Sequence, residues 1–451
     1  MTTPKKEIPS SNKTNNDKPR QQLHNSVNGL VSLFSGEAAK QGYLAAADQG
    51  IISVSNFLAT LILARNASPT ELGVYVVGFT SLRLLRAFQE GIIIQPLNTY
   101  GAAMDHSTFR NYVSNTGFIQ LMLSFVSAAG VALLGWVLIL LGNDTAGPGI
   151  LSLWSVFLWW QLAEFIRRTL YTRGKVMYAV FNTSIGNLVR LGILVVLANQ
   201  SRLTGATGIS AIAIGSLISF IPGMWQTRSY WSIKNIDLRM TWKRNWGFGK
   251  WILGSSTANW FAVEFYPVLT AGIISFAAAG AYRALQNIVA PVHVLLRATD
   301  TFLTPRAAKI YDEKGIPALS RILRTTYIVL GIPIIALLAI ALLFPELLLE
   351  LFYGETYLQY SNGIVLMVFF YLFFFLYSPA QTALKAVRIG QPIFIANLIA
   401  IAVMLTVGVW LILQWGVYGT LVGQVVSALI ICVILWTAWG LVKRRIDPES
   451  H

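Results

Sequence analysis

The sequence predicts an all-α polytopic membrane protein with twelve transmembrane helices in two six-helix bundles related by a parallel repeat. Three observations lead to this prediction. The apolar residues form blocks close to the roughly 20 residues that a helix needs to cross a bilayer. Basic residues collect in alternate connections between these blocks, and short motifs of the first half recur in the second half.

The composition excludes several other classes of protein. Of 451 residues, 55% are hydrophobic and 12% are charged, which is about half the charged fraction of a typical soluble domain. The one cysteine, Cys432, lies inside an apolar block, so no disulfide forms within the chain and a cysteine-based metal site is not expected. The sequence contains no phosphate-binding glycine loop with a lysine. We therefore expect neither a cofactor nor a metal.

The twelve spans follow from the apolar blocks and their periodicity. In the first half they cover residues 41–63, 72–99, 112–141, 149–166, 176–198 and 207–226. In the second half they cover residues 248–274, 280–304, 326–344, 361–382, 392–413 and 417–441. We expect Pro267 to kink the seventh span, since proline removes a helical hydrogen bond.

These spans divide the chain into five parts. Residues 1–40 predict a disordered cytoplasmic tail, in which residues 23–34 form either an interfacial helix or a frayed linker. An N-terminal lobe (41–230) and a C-terminal lobe (248–441) are joined by a cytoplasmic linker (231–247). Residues 442–451 form a second cytoplasmic tail.

The basic residues predict the orientation. Connections on one side, together with both termini, carry nearly all of the lysines and arginines outside the spans. The alternate connections carry only Arg65 and Arg202, and the connection 345–360 holds three glutamates and no cation. Both termini are therefore expected in the cytoplasm. This distribution also accounts for the net charge of +15, so nucleic acid is not an expected partner.

An internal repeat relates the two halves. Gly205–Gly208 opens the sixth span and Gly416–Gly419 opens the twelfth. Gly73–Tyr75 lies near the start of the second span and Gly280–Tyr282 near the start of the eighth, and both of these spans end at a proline. Because each half has an even number of helices, both halves insert the same way up. A transported substrate would then bind at their interface.

Polar side chains set some spans apart from the rest. Spans one, two, seven and eight carry polar faces at helical spacing. Arginines inside a span are unusual, because a cation in hydrocarbon is costly unless it faces protein or water. We therefore expect a hydrated cavity between the lobes. Its candidate substrate-binding residues are Arg83, Arg86, Arg190, Arg283, Arg297, Gln49, Asn56, Asn259 and Gln286.

Guanidinium groups beside neutral hydrogen-bonding groups suit a ligand that has phosphates or uronates and many hydroxyls. A structural role is the alternative. Arg86 could pair with Glu90 and Arg297 with Asp300, at helical spacing, and the other arginines could form tertiary salt bridges. The acidic residues and one histidine are candidates to bind a coupling cation or proton, although a lone histidine is also a common packing residue. These candidates are Asp48, Glu90, Glu264, Asp300 and His293.

Three stretches resemble a known family. Residues 48–75, 344–357 and 416–419 are similar to the corresponding stretches of O-antigen-type polysaccharide flippases. These flippases belong to the multidrug/oligosaccharidyl-lipid/polysaccharide (MOP) exporter superfamily. The likeness covers residues 41–443 through the order of these motifs, the twelve spans and the repeat.

The resemblance implies a V-shaped pair of bundles that works by alternating access and is not an enzyme. It implies that undecaprenyl-diphosphate-linked oligosaccharide repeat units cross the bacterial inner membrane for synthesis of O-antigen, capsule or exopolysaccharide. The expected partners are this lipid-linked oligosaccharide, membrane lipid and other polysaccharide assembly proteins. The family has no fixed catalytic residues, so the candidate residues depend on the polar faces alone.

Two other functions stay open. A multidrug cation antiporter of the same superfamily would need an acidic cavity, which the arginines disfavour. A membrane polysaccharide polymerase would need one large external loop, but the longest predicted external connection is 345–360.

Overall fold

The computed structural model describes residues 37–232 and 236–446. The predicted interfacial helix and most of the predicted N-terminal tail lie outside the described residues, as do residues 447–451. The described chain is almost entirely helical, which confirms the all-α prediction.

The N-terminal lobe consists of helices joined by short connections. Its α-helices are α1 (Glu37–Asn66), α2 (Pro69–Gln89), α3 (Gln95–Gly101), α4 (His106–Leu140), α5 (Ala146–Thr172), α6 (Val176–Asn199) and α7 (Gly205–Gln226). A π-helical turn, Glu90–Ile94, joins α2 to α3, and a 3-10 turn, Arg228–Tyr230, follows α7. The start of α2 is fixed locally, because Pro69 occupies the first turn and the hydroxyl of Ser68 accepts a hydrogen bond from the Glu71 amide.

The C-terminal lobe has longer, interrupted helices. They are α8 (Leu238–Glu264), α9 (Tyr266–Ile273), α10 (Phe276–Ile288), α11 (Ala290–Leu343), α12 (Pro345–Tyr353), α13 (Gly363–Ala386), α14 (Gln391–Val403) and α15 (Val409–Ile446). A 3-10 segment, Glu355–Tyr360, follows α12, and a π-helical turn, Met404–Gly408, joins α14 to α15. Both α11 and α15 consist of two segments, because Gly315 and Gly416 adopt φ of 70° and 57°, a conformation that favours glycine.

Every predicted span overlaps these helices. In the described residues, eight helical stretches are long and apolar enough to cross a membrane. Two of them, of 54 and 55 residues, contain the breaks at Gly315 and Gly416 and exceed twice the roughly 20 residues of one crossing. Trp136, Leu140 and Ile332 are among the large apolar side chains left exposed. The chain is therefore a multi-span membrane protein, and the count of twelve stays a prediction.

The seventh predicted span is broken where proline was expected to act. Helix α8 ends at Glu264 and α9 begins at Tyr266, with Pro267 in the first turn of α9. This confirms the predicted kink. The same span begins earlier than the predicted residue 248, because α8 starts at Leu238. The Asp237 side chain caps this helix by accepting a hydrogen bond from the Met240 amide. The predicted linker 231–247 thus contains the first turns of α8.

The helices are connected at two ends of the bundle. We call one end the basic side, which carries the connections 173–175, 227–232 and 387–390. We call the other end the opposite side, which carries the connections 67–68, 200–204 and 274–275. The sequence predicts the basic side to be cytoplasmic and the opposite side to be external.

The lobes meet along α2, which packs against α10 near the opposite side and against α8 nearer the basic side. A Cβ added at Gly73 would lie 1.7 Å from the Phe276 carbonyl oxygen, and one at Gly91 would lie 2.8 Å from Leu253 Cα. Both contacts bring backbones together and require glycine. A third contact closes the opposite side, where Arg65 Nε donates to the Phe352 carbonyl at 3.0 Å.

A network of three glutamines lies inside the N-terminal lobe. Gln89, Gln120 and Gln161 are all fully buried. Gln89 Nε2 donates to Gln120 Oε1 at 3.0 Å, and Gln120 Nε2 donates to Gln161 Oε1 at 3.1 Å. Because a buried amide without a partner is costly, this network fixes the packing of α2, α4 and α5 against one another.

Candidate functional site

Arg83 and Glu264 connect the lobes. Arg83 Nη1 of α2 lies 2.5 Å from Glu264 Oε2 of α8, and the side chains are 33% and 13% exposed. The tertiary salt bridge that the sequence left open is therefore present. Substrate contact by Arg83, and cation or proton binding by Glu264, stay predictions.

Arg283 of α10 faces the N-terminal lobe. Its Nη1 donates to Gln286 Oε1 at 2.6 Å, and its guanidinium carbon lies 5.9 Å from the centre of the Phe79 ring of α2. Within the described chain, no carboxylate lies at ion-pair distance from Arg283. The arginine is held by a neutral amide and an aromatic face, so its charge remains available to a ligand.

Arg86 and Glu90 do not form the local pair considered from their spacing. Glu90 Oε1 instead accepts a hydrogen bond from Gln95 Nε2 at 2.7 Å. Arg86 is half-buried, and none of the described carboxylates lies at ion-pair distance from it. Arg86, on α2, is therefore the second cation after Arg283 that has no ion-pair partner among the described residues.

Arg190 of α6 is 5% exposed and has neutral partners. Its Nη1 donates to Asn56 Oδ1 of α1 at 2.8 Å, and its Nη2 donates to the hydroxyl of Tyr75 of α2. These two partners line a small pocket between the lobes. The residues that line it are Asn56, Thr60, Tyr75, Val76, Phe79 and Arg283.

The polar face of α11 is occupied by a separate set of contacts. Arg297 Nε donates to His293 Nε2 at 2.8 Å, and the His293 ring stacks on Phe374 at a centroid distance of 5.4 Å. Asp300 Oδ2 accepts from Lys385 Nζ of α13 at 2.8 Å. Asp300 therefore has a tertiary cationic partner, and His293 has the packing contact expected of a lone histidine. Their predicted roles in coupling stay predictions.

Asp48 lies in an ionic cluster that the sequence did not reveal. It is fully buried, and its Oδ2 accepts from Arg167 Nη1 at 2.5 Å and from the Tyr171 hydroxyl at 2.6 Å. Arg167 and Arg168 also contact Glu164, at 2.7 and 2.9 Å. The sequence placed both arginines in a cytoplasmic connection, whereas α5 continues to Thr172. Their helical spacing from Glu164 was the one signal that pointed to this cluster.

Gln49 of α1 and Asn259 of α8 are exposed. In the part of the chain that the structure describes, neither side chain has a hydrogen-bond partner. Both stay candidate substrate contacts. The described residues contain no group of three or more histidine, cysteine or acidic side chains that could hold a metal ion.

Comparison with known families adds to this geometry. The model of the family described as polysaccharide biosynthesis protein matches residues 62–362. The chain belongs to this family. No curated protein sequence matches it.

Solved structures share its fold at low sequence identity. An inward-facing multidrug resistance MATE family transporter of the MOP superfamily has 14% identity and a TM-score of 0.69, over 88% of this chain and 96% of its own. The lipid II flippase MurJ, in an inward closed conformation, has 14% identity and a TM-score of 0.65, over 88% and 87%. A MOP superfamily transporter from Pyrococcus furiosus, described by the reverse polarity of its binding pocket, has 13% identity and a TM-score of 0.59, over 92% and 98%.

These matches confirm the resemblance to the MOP superfamily. The chain has the two-lobed fold of these solved transporters and of the solved flippase. The family description adds polysaccharide biosynthesis to this fold.

Proposed function

We propose that this chain moves undecaprenyl-diphosphate-linked oligosaccharide repeat units from the inner to the outer leaflet of a bacterial inner membrane. It would serve the synthesis of O-antigen, capsule or exopolysaccharide, with both termini in the cytoplasm. Other polysaccharide assembly proteins would supply and consume the repeat units. The family match and the likeness to a lipid II flippase support this proposal.

One observation carries the choice of substrate. Between the lobes, Arg83 has one acidic partner, Glu264, whereas Arg86 and Arg283 have no ion-pair partner among the described carboxylates. A partly desolvated cation attracts an anion strongly, because water screens it poorly there. The same charge repels a cationic drug. The interface therefore favours a phosphate-bearing or acidic ligand over the cations of a multidrug antiporter.

In alternating access, the substrate can shift the equilibrium between the two conformations only if it binds one of them more tightly than the other. The lobes contribute separate cations, Arg86 from α2 and Arg283 from α10. An anionic substrate that binds both cations stabilises the state in which they face one cavity. Release follows when the lobes separate at the opposite side, where Gly73 and Arg65 make their contacts with the other lobe.

A genetic and biochemical experiment tests the proposal. In a deletion strain, we expect single lipid-linked repeat units to accumulate on the cytoplasmic side, and the wild-type chain to restore export. Arg283→Ala should lower export by about tenfold or more, since a hydrogen bond to a charged group contributes about 1.5–3 kcal/mol. Arg202→Ala is the matched control, because Arg202 is exposed on a connection at the opposite side.

Other outcomes point to the alternatives. Normal export from the deletion strain would contradict the proposal. Loss of drug resistance with normal export would favour the antiporter. Repeat units stranded on the outer face would favour a polymerase, since that step follows transport.

A further inference from the structure

The first turns of α8 carry a basic and aromatic face that stays exposed. Arg239, Lys243, Trp246 and Lys250 follow one another at spacings of four, three and four residues, which places them on one side of the helix. All four are exposed. We call these four residues the α8 outer face. They extend over about 16 Å of the helix axis, at 1.5 Å per residue.

The other side of the same turns packs against the N-terminal lobe. Thr241, Asn245 and Gly249 are buried at spacings of four residues. The Tyr112 hydroxyl of α4 donates to Asn245 Oδ1 at 2.8 Å, and a Cβ added at Gly249 would lie 2.3 Å from the Gly91 carbonyl oxygen. These contacts fix the rotation of α8 about its axis, so the α8 outer face points away from α4.

Neighbouring helices place this face near the end of the bundle on the basic side. The Arg244 guanidinium carbon lies 4.3 Å from the centre of the Tyr100 ring, and Tyr100 is the next-to-last residue of α3. Tyr112 lies six residues, or about 9 Å, from the start of α4. That start belongs to the basic side, because Arg110 Nε donates to the Trp231 carbonyl of the connection 227–232 at 2.7 Å. The middle of the α8 outer face therefore lies where headgroups surround a membrane protein.

Tryptophan side chains support this depth. Trp242 and Trp246 stack with ring centroids 5.8 Å apart and an interplanar angle of 14°, and they remain 42% and 41% exposed. Trp251, further along the helix, is 75% exposed. Tryptophan is enriched where hydrocarbon meets headgroups, because its ring is apolar and its N–H is polar. The first turns of α8 thus offer apolar rings to acyl chains and cations to headgroups.

The cations of the α8 outer face have no counter-charge in the described part of the chain. None of the described carboxylates lies at ion-pair distance from Arg239, Lys243 or Lys250. Asp237, the nearest acid in the sequence, accepts instead from the Met240 amide at 2.9 Å. Three cations along about 16 Å of helix repel one another. An anionic leaflet, which attracts basic segments beside the membrane, is the environment that fits them.

We propose that the α8 outer face binds anionic phospholipid headgroups in the leaflet at the basic side. The middle of the face lies at headgroup level, and lysine and arginine side chains are long enough for the outer two cations to reach that level along the helix. The face is open and other side chains do not fix its cations, which suits singly charged headgroups better than one clamped diphosphate. Headgroups bound there hold the first turns of α8 at the membrane surface and so support their contacts with α2 and α4.

A local fluorescent reporter tests this proposal on purified full-length protein in detergent. Gly247→Cys in a Cys432→Ala background places one thiol beside the face, because Gly247 is exposed and a Cβ there meets no atom within 4 Å. A bimane on this thiol is titrated with phosphatidylglycerol, phosphatidylcholine and polyprenyl diphosphate in separate experiments. We expect phosphatidylglycerol to reach half of the emission change at a mole fraction at least tenfold lower than phosphatidylcholine does.

A triple variant of the face should lose this preference. It replaces Arg239, Lys243 and Lys250 by glutamine, and each cation beside an anionic surface contributes about fivefold to binding. The charge-conserving exchange of Arg239→Lys with Lys243→Arg and Lys250→Arg should keep the preference, which shows that the turns still fold. Trp242→Ala with Trp246→Ala should weaken both phospholipids by the same factor, since contacts to acyl chains do not distinguish headgroups.

The matched control removes the same charge elsewhere. It replaces by glutamine three exposed cations of α11, Lys314, Arg321 and Arg324. The preference for phosphatidylglycerol at the reporter should stay within about twofold of its original value. Loss of the preference in this control would overturn the proposal, because total charge rather than the α8 outer face would then attract the lipid.

Two other results would also overturn the proposal. One is an equal response to the two phospholipids, or a preference that survives in the triple variant of the face. The other is a response to polyprenyl diphosphate at a mole fraction at least tenfold lower than that of phosphatidylglycerol, since the face would then bind the lipid-linked substrate. The proposed transport step stands in each case, because it depends on the interface between the lobes.

Discussion

Replacing Gly73 by alanine should separate the lobes at the opposite side. The added Cβ would lie 1.7 Å from the Phe276 carbonyl oxygen, whereas carbon–oxygen contacts between packed backbones are about 3.3–3.6 Å. Helices α2 and α10 must therefore move apart by about 1.5 Å or more. The oxygen belongs to the backbone, so no side-chain rotation relieves the overlap.

The energetic cost falls on one conformation. Overpacking of this kind costs about 1–3 kcal/mol, and it disappears once the two helices part. The equilibrium between the closed and open forms of the opposite side should then shift by about 5–150-fold toward the open form. Alanine also favours the helix in both conformations, so this gain does not bias the equilibrium.

Cysteine labelling measures the shift. Thr60 is buried in the pocket wall, so a Thr60→Cys reporter in a Cys432→Ala background reacts only when the opposite side opens. Gly73→Ala should speed its reaction with a membrane-impermeant maleimide added from that side. Gly50→Ala is the control, because a Cβ at Gly50 meets no atom within 4 Å. Equal labelling rates in the two variants would refute the reasoning.

Three other predictions concern stability, each measured by thermal unfolding in detergent. Arg83→Ala should lower the free energy of unfolding by about 2 kcal/mol, a value between those of exposed and buried ion pairs. The double exchange of Arg83→Glu with Glu264→Arg should recover part of this loss. No recovery would argue against a direct pair. Gln161→Leu should lower the free energy of unfolding by about 2 kcal/mol, because its amide partners lose their hydrogen bonds. An unchanged melting temperature would contradict the proposed network. The pKa of Asp105 is held well below its usual range by hydrogen bonds from Ser107 and Thr108. The contribution of Asp105 to the free energy of unfolding is therefore complete above the ordinary aspartate pKa of about 3.9, and it declines as pH falls below that value. Asp105→Ala should therefore reduce the loss of stability between about pH 5 and pH 3, and an identical acid dependence would contradict this role.

The sequence was sufficient for the fold class because lipid imposes a strong rule. Long apolar helices must satisfy their own backbone hydrogen bonds, so hydropathy predicts them well. The kink at Pro267 was predictable for a local reason as well, since proline acts on its own helix. The π-helical turn Glu90–Ile94 has no such local signal, because it depends on how α2 packs against α8.

The partners of the arginines were not predictable from spacing. Arg86 and Glu90 are neighbours on one helix, yet Glu90 contacts Gln95. Arg167 looked like a membrane-orientation signal, yet it contacts Asp48, 119 residues earlier in the chain. Which cation meets which acid depends on tertiary packing. The sequence could place Arg83 and Arg283 inside spans, but it could not show that Arg83 pairs with Glu264 of the other lobe.

The π-helical turn in the second span has a mechanical consequence. It holds one residue more than an α-helical turn, and such turns are common at functional sites. Upstream of it α2 carries Arg83 and Arg86, and Gly91 within the turn touches α8. If the surplus residue moved toward the start of α2, each residue that it passed would rotate by about 100°. Passage beyond Arg86 and Arg83 would turn both arginines relative to the other lobe while the helix stays hydrogen-bonded throughout.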